Sequence, residues 1–304
     1  MRTPPAYRHS RLSKVMSPVV AVVATYRPDA QSLLALLDDL AREAVTTIVV
    51  DDASPCTFDP LAREVAGRVL AVAQLKVQRF DNNRGIARSL NAGLAFANDQ
   101  QAKWLLTLDQ DTRLPAGVIE QLLATAMRAK QAGLQVGAIG PIVVDTGGGE
   151  IKYPTRESSG FATTAEIVQS GALWSVAALQ EVDGFDERLG IDAVDAAACL
   201  HLRQLDYQVL VDGEARITHR LGNARAVQVL GRTVLATGQS AERRTTMVRN
   251  RLRLAPAEFT QSPIQGLRSL RRLAMSTALA VTVEEDRWAK AKASARGLFP
   301  KRRG

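Results

Sequence analysis

Two carboxylates one residue apart, Asp109 and Asp111, end the apolar stretch "WLLTLDQDTRLP". A strand carrying acids at i and i+2 points both to one face, and at a strand-to-turn junction they can converge on one hard cation. The chain has only two cysteines and three histidines, so the donors on offer are mainly carboxylate oxygens, which suit Mg2+ or Mn2+ and not zinc. A solvated strand end before a proline-started helix fits the same letters. Three other segments carry comparable chemistry. In "VDDAS", Asp51 or Asp52 could accept hydrogen bonds from a base or ribose, or simply end a strand. In "NNRGIARSLNAG", small residues at Gly85, Ala87, Ser89 and Gly93 let a helix N-terminus approach a ligand, and such a terminus favours phosphate oxygens. Tight packing of a helix start explains them equally. The stretch from Ser170 to Leu210 is dense in acids, and Asp195 opens an otherwise apolar helix. There it can cap exposed N–H groups or act as a general base.

These residues need elements to hold them. From Val19 onward, short β-branched runs alternate with longer runs of helical spacing: "VVAVVAT", "DAQSLLALLDDLAREA", "TTIVVDDAS", "LKVQRF", "GIARSLNAGLAFAND", "KWLLTLDQD". The pattern predicts an α/β fold, a mostly parallel, Rossmann-like sheet with helices on both faces. In open sheets of this kind ligands bind beyond the carboxyl ends of the strands, where Thr25, Asp51 and Asp109 fall. Further on, "AGVIEQLLATAMRAKQAG" predicts a helix, "VGAIGPIVVD" a strand, "TGGGEIKYP" a hairpin or mobile loop, "SGALWSV" a strand, "IDAVDAAACLHLRQLD" a helix and "YQVLVDGEARITH" a strand. After Gly222 the chain reads as helical and Arg-rich. The expected organisation is a basic tail over 1–16, a catalytic domain over 17–222 and a helical, basic extension over 223–304.

Composition sets the outer limits. With 46% hydrophobic and 23% charged residues, the chain can build a large core. Two cysteines, Cys56 and Cys199, exclude a disulfide-dense scaffold. A net charge of +8 favours an anionic partner, but the basic residues crowd both ends and no nucleic-acid motif with interleaved aromatics accompanies them. Nucleic-acid binding is set aside. A nucleotidyltransferase would want a phosphate-binding glycine loop after the first strand, and "ATYRPD" is not one. The run "SPVVAVVAT" continues into "YRPD" rather than a small-residue cleavage site, so it reads as a first strand and not a leader. No apolar run approaches the ~20 residues of a membrane-spanning helix.

The order "VVATYRPD", "VVDDAS", "NNRGIARSLNAG", "LTLDQDTRLP", "SGALWS…GFDERLGIDAVD" and "ITHRLG" resembles inverting family 2 glycosyltransferases of the GT-A fold, most of all bacterial rhamnosyltransferases. "RRTTMVRNRLRL" resembles a segment those proteins carry afterwards. The resemblance implies that Thr25, Asp51 and Arg84 surround the nucleotide base and ribose. It implies that Asp109 and Asp111 hold ribose, diphosphate and metal, with Asp111 the more direct ligand, that His219 completes the metal or diphosphate site, and that Asp195 is the catalytic base. Gln110, the middle letter of D-Q-D, points to rhamnose and a dTDP-rhamnose donor, with a UDP-sugar as the alternative. Trp174 stacks on an acceptor sugar or belongs to the core, and Asp192 lies on the acceptor side. The acceptor would be a glycan or a lipid-linked sugar.

There are departures. Relatives of the rhamnosyl type carry a second acid where Ala197 stands, an Arg where His201 stands, and two Tyr where Thr245 and Thr246 stand. If Asp195 is the base, losing the second acid alters acceptor binding or pKa tuning more than it abolishes chemistry; a degenerate donor-binding homologue is the alternative that Ala197 motivates. The glycines Gly147–Gly149 are a candidate lid. The basic, apolar C-terminal stretch with Trp288 fits peripheral attachment to the inner face of a plasma membrane, or packing on the catalytic domain or on a second subunit in a homo-oligomer. The expected compartment is cytoplasmic.

Overall fold

The structure, a computed structural model, describes residues 18–55, 75–145, 149–151, 153–219, 225–229, 232–236 and 238–299. The stretch 1–16, Cys56, Gly147 and Gly148 of the expected lid, and the expected boundary at 222 lie outside the described residues. Strand β1 (Val19–Thr25) is followed by α1 (Ala30–Arg42), β2 (Thr46–Asp51), β3 (Leu75–Arg79), α2 (Ile86–Asp99), β4 (Trp104–Asp109), α3 (Val118–Gln131) and β5 (Val136–Asp145). Then come β6 (Gly149–Glu150), β7 (Thr155–Ser158), β8 (Phe161–Thr164), β9 (Ala172–Ser175), α4 (Val176–Glu181), α5 (Val194–Gln204) and β10 (Gln208–His219). A hairpin of β11 (Arg225–Val229) and β12 (Arg232–Ala236) precedes α6 (Ala241–Gln261), α7 (Pro263–Thr282) and α8 (Arg287–Leu298).

The main sheet runs in the order β3-β2-β1-β4-β9-β5-β10-β8-β7, with β6 on β5. Strands β3, β2, β1 and β4 are parallel neighbours, as are β5 and β10. Antiparallel β9 is inserted between β4 and β5, and the β7–β8 hairpin closes the far edge. β1 is buried along its whole length, as a strand covered on both faces must be. Its residues sort by parity. Val20, Val22 and Ala24 pack with Leu90, Ala97 and Val194 on the side of α2 and α5, while Val19, Ala21 and Val23 pack with Leu33, Leu37 and Leu122 on the side of α1 and α3. Gly93 is where α2 touches the sheet most closely, since a Cβ there would sit 2.4 Å from Val22 Cβ.

Registry aligns the strand ends. Thr25 pairs with Asp51, Ala24 with Asp109, and Asp145 with His219. The polar residues at the carboxyl ends therefore share one edge.

Two elements differ from expectation. Residues after 222, read as helical, begin with the β11–β12 hairpin; their β-branched residues (Val227, Val229, Thr233, Val234) favour strands. The β7–β8 hairpin was not anticipated. It turns through Ser159 and Gly160, both at positive φ, a backbone that suits a tight two-residue hairpin turn.

The helical extension is present as α6, α7 and α8, and it is docked. Leu254 of α6 joins the core cluster that contains α5, and Val248 and Asn250 are buried. Among the described residues no helix is long and apolar enough to cross a membrane.

Candidate active site

Asp109 is the last residue of β4, and the chain turns immediately afterwards. The turn is tied to the end of β10 by a two-way backbone bridge, Arg113 N–H to Thr218 O (2.8 Å) and Thr218 N–H to Arg113 O (3.2 Å). Asp39 of α1 anchors the same turn by accepting from Arg113 Nε (2.7 Å), Arg113 Nη2 (2.9 Å) and the Leu114 N–H (3.1 Å). His219 is thereby set between the two carboxylates. Its Nε2 lies 3.3 Å from Asp109 Oδ2 and its Nδ1 3.2 Å from Asp111 Oδ1.

Charge is concentrated at this point. Burial opposes protonation of His219, but the carboxylates of Asp111, Asp109 and Asp145 outweigh it and hold the imidazole above its ordinary value. Burial pushes Asp109 above the usual carboxylate range; His219 opposes this and the neighbouring Asp111 charge adds to it.

Could the trio hold a divalent cation? The donor chemistry fits, two carboxylates and an imidazole. His219 Nδ1 is buried and, though close to Asp111, has no hydrogen bond in line; such an orphaned polar atom calls for a partner. Among the described residues no three or more His, Cys, Asp or Glu side chains are already arranged as a metal cage, so the imidazole would have to release its present carboxylate contacts.

The neighbouring strand ends behave differently from expectation. Asp51 is fully buried, accepting from Ser54 Oγ (2.5 Å) and Ser54 N–H (3.0 Å), with Arg79 Nε 3.3 Å away. Thr25 is buried beside it. As placed, both shape the strand end and neither presents a surface to a base. Asp52 accepts from the Arg84 and Gly85 N–H groups at 2.9 and 2.7 Å, and Gly190 O accepts from the Ala87 N–H at 3.3 Å. Asp52 thus holds the turn that leads into α2, the expected phosphate-facing start, while the helix itself has no side-chain cap. Gly85, at φ 90°, is required there because a Cβ would lie 2.4 Å from Gly190 O. Arg84 keeps an exposed position. Gln110 accepts from the Tyr26 N–H at 2.9 Å and so joins the acidic turn to the loop after β1.

Of its two readings, Trp174 takes the core one, and its place on the acceptor side falls. It is completely buried, donates from Nε1 to Thr107 Oγ1 (2.8 Å) and meets Phe185 edge to face at 5.4 Å. The β9 register turns its ring into the core, out of reach of any acceptor.

Asp195 stands in the first turn of α5. Its carboxylate accepts from the Ala196 N–H (2.8 Å) and from the main chain of Gln169. Burial pushes its pKa up to about 6, with Arg251 pulling down and Glu166 pushing up. Asp192, at φ 67°, receives the Arg243 fork of α6 at 2.9–3.2 Å. Ala197 is sealed in the core. His201 is half-buried beside the Asp186 charge, and Thr245 donates to Ala293 O of α8 (3.1 Å).

Sequence reasoning missed the residue that joins the two halves. Gln169 donates from Nε2 to Asp109 Oδ1 at 2.6 Å while its backbone reaches Asp195. The next residue, Ser170, accepts from the Asp109 N–H (3.1 Å) and pairs with Thr112 (2.5 Å). Their signal is weak, since both lie on the short stretch before β9 with no spacing to mark them. Arg243, Asn250 and Arg251 were within "RRTTMVRNRLRL", a flagged segment without assigned roles.

Comparison with known proteins follows the same lines. The sequence model described as glycosyl transferase family 2 matches residues 20–175. The chain is 27% identical over 232 residues to the dTDP-rhamnosyl transferase RfbF of Shigella flexneri, covering 71% of this chain and 73% of that protein. Among solved structures, the mannosyltransferase PcManGT from Pyrobaculum calidifontis, in complex with GDP-Man and Mn2+, superposes with a TM-score of 0.59 at 18% identity, over 94% of this chain and 89% of that one. TarS 1-349 of S. aureus gives a TM-score of 0.60 at 14% identity, over 92% and 81%.

Proposed function

The chain belongs to glycosyl transferase family 2, and on that premise we propose that it is a rhamnosyltransferase. It would move rhamnose from dTDP-rhamnose to a hydroxyl of a glycan or lipid-linked acceptor, with inversion at the anomeric carbon. The observation that carries the reading is the meeting of Asp109, Asp111 and His219 at one strand edge, with Asp195 joined to them through Gln169. The donor is read from the 27% identity to a dTDP-rhamnosyl transferase.

In this reading Asp109, Asp111 and His219 hold Mg2+ or Mn2+, and the structural neighbour solved in complex with GDP-Man and Mn2+ supports the choice. Chemistry supplied by such an ion, when bound, is neutralisation of the departing nucleotide diphosphate. The chain's own residues do the rest. Asp195, titrating near 6, is ionised at neutral pH and takes the proton of the acceptor hydroxyl. The acceptor oxygen attacks the anomeric carbon from the face opposite the diphosphate, and the electron pair of the breaking C–O bond leaves with the phosphate. Gln169 keeps the carboxylates on the two sides in fixed relation. Arg84 reaches the base or ribose from its exposed position, Thr25 and Asp51 support that wall from behind, and Asp192 orders the acceptor side through Arg243. Ala197 does not argue for a degenerate protein, because its side chain points into the core.

The outer surface of α7 and α8 supports peripheral attachment to an anionic membrane, since Leu267 is 64% and Trp288 83% exposed beside Arg268 and Arg271.

Thermal unfolding tests the donor site. dTDP and dTDP-rhamnose with Mn2+ should raise Tm, and Asp111→Ala should abolish the rise. Stabilisation by UDP-sugars alone would transfer the donor assignment to them, and an intact response in Asp111→Ala would end the metal assignment.

A further inference from the structure

The surroundings of Asp195 contain a group of charges that the proposed reaction does not use. Glu166, in the segment between β8 and β9, is gripped by two guanidinium groups from the C-terminal helices. Arg251 Nη1 of α6 lies 2.8 Å from Glu166 Oε2, and Arg272 of α7 takes the other oxygen. Arg251 also lies 3.8 Å from Glu258 Oε1 within α6. The site is enclosed, with the Arg251 side chain 28% and the Glu166 side chain 17% exposed. Three residues after Glu166, the main chain of Gln169 bonds Asp195, so the gripped segment and the segment holding Asp195 are one.

The same helix fixes the approach to Asp195 from the other side. Asn250 is fully buried, and its single Nδ2 donates to Leu189 O (2.9 Å), Ile191 O (2.8 Å) and Asp192 O (3.0 Å). Those carbonyls belong to a loop that places Gly190, Asp192 and Ala193 in the left-handed region. At Asp192 and Ala193, which are not glycine, that backbone is strained and needs outside support.

We propose that Arg251, anchored on Glu166, is a positioning residue for Asp195, so that α6 and α7 complete the transfer site instead of being appended to it. The proposal rests on the reading of Asp195 as the base. Among the described residues, the titratable or charged groups that interact with Asp195 are Arg251 of α6, Glu166 from the segment before β9, Tyr153 from the segment before β7, and Cys199 one turn along α5. Burial pushes the Tyr153 hydroxyl and the Cys199 thiol far up, so both stay neutral. Glu166 stays ionised because Arg251 and Arg272 outweigh its burial. Among the described residues, that leaves Arg251 as the cation that favours the charged form of Asp195, against burial and Glu166, which both oppose it. Glu166 also brings a carboxylate to the surroundings of Asp195, where Ala197 supplies none.

Carbon-detected NMR of [13C]aspartate-labelled full-length protein, with Asp195→Asn to assign the signal, reads the Asp195 titration directly. Arg251→Gln should move its midpoint upward by about one pH unit or more, the range over which a neighbouring cation acts. Arg251→Lys, which keeps the charge, should stay close to the parent. Arg251 keeps Glu258 at 3.8 Å as a second partner, so Glu166→Gln removes an anion without freeing the guanidinium and should move the midpoint downward. It carries the test if Arg251→Gln does not fold. An unmoved midpoint in Arg251→Gln, or an unmoved or rising one in Glu166→Gln, overturns the proposal. Failure of the underlying reading looks different: Asp195→Asn would then release dTDP from dTDP-rhamnose, with Mn2+ present, as fast as the parent protein.

Discussion

Trp174 and Asp195 show how a side chain's surroundings decide between two readings of one letter. Both occupy the acid-rich segment and both could face an acceptor. Trp174 lies on β9, where alternation sends it into the core to bond Thr107. Asp195 lies at the mouth of α5, where a carboxylate can cap the helix and still face the site. The consequence is a division of phenotypes. Trp174→Ala should cost about 3–5 kcal/mol, as truncation of a buried aromatic does, and should leave the acceptor KM of the folded fraction unchanged. Urea unfolding and acceptor titrations check this pair of outcomes. A KM that rises tenfold with little loss of stability would return Trp174 to the acceptor site.

At the scale of elements, the site depends on the cross-connection of α1, the turn after β4 and the end of β10. Asp39 is sealed under this junction. Burial raises its pKa, but bonds from Arg113, Leu114 and Arg42 more than offset that and hold it below the ordinary carboxylate value. A depressed folded pKa gives stability that is present above the unfolded value near 4 and lost as pH falls through the folded value. Asp39→Asn should therefore cost about 1–3 kcal/mol at pH 7, discounted because Arg113 is half-exposed. It should also flatten the acid limb of stability below pH 4, read as urea midpoints against pH. An acid limb identical to that of the parent would remove Asp39 from this role. Much of this layout was legible beforehand. The parallel strands announced themselves through unbroken β-branched runs, because two covered faces leave no polar alternation. Asp109, Asp111 and His219 were legible from order along the chain. The β7–β8 hairpin was not, since "TRES" is a short exposed edge strand and "FATT" a half-buried one, and their pairing depends on a turn at Ser159 and Gly160. Nor was the grip of Asp52 on the turn before α2, a contact between residues more than thirty apart whose geometry depends on how Gly190 packs against Gly85.

For the whole molecule, the question is what the net charge of +8 does, given that α6 and α7 already commit several arginines to internal ion pairs. Arg243, Arg251 and Arg272 are committed to Asp192 and Glu166. The outward residues of α7 are a different set. Ile264, Leu267, Arg268, Arg271 and Met275 recur at helical spacing and are all exposed, and Trp288 stands out from α8. Arginines interleaved with large apolar side chains match the interfacial boundary of an anionic bilayer, where each basic residue contributes about 1 kcal/mol and apolar groups enter the headgroup layer. The expected outcome is co-sedimentation with vesicles containing phosphatidylglycerol and little with phosphatidylcholine alone. Arg268→Glu with Arg271→Glu should weaken it by about tenfold or more, from the loss of two such contributions, and Trp288→Ala should weaken it further. These side chains are exposed, so Tm should hold. If vesicle binding is absent and light scattering reports a dimer that the same substitutions dissociate, the face is a contact between two copies of the chain and the membrane reading is lost.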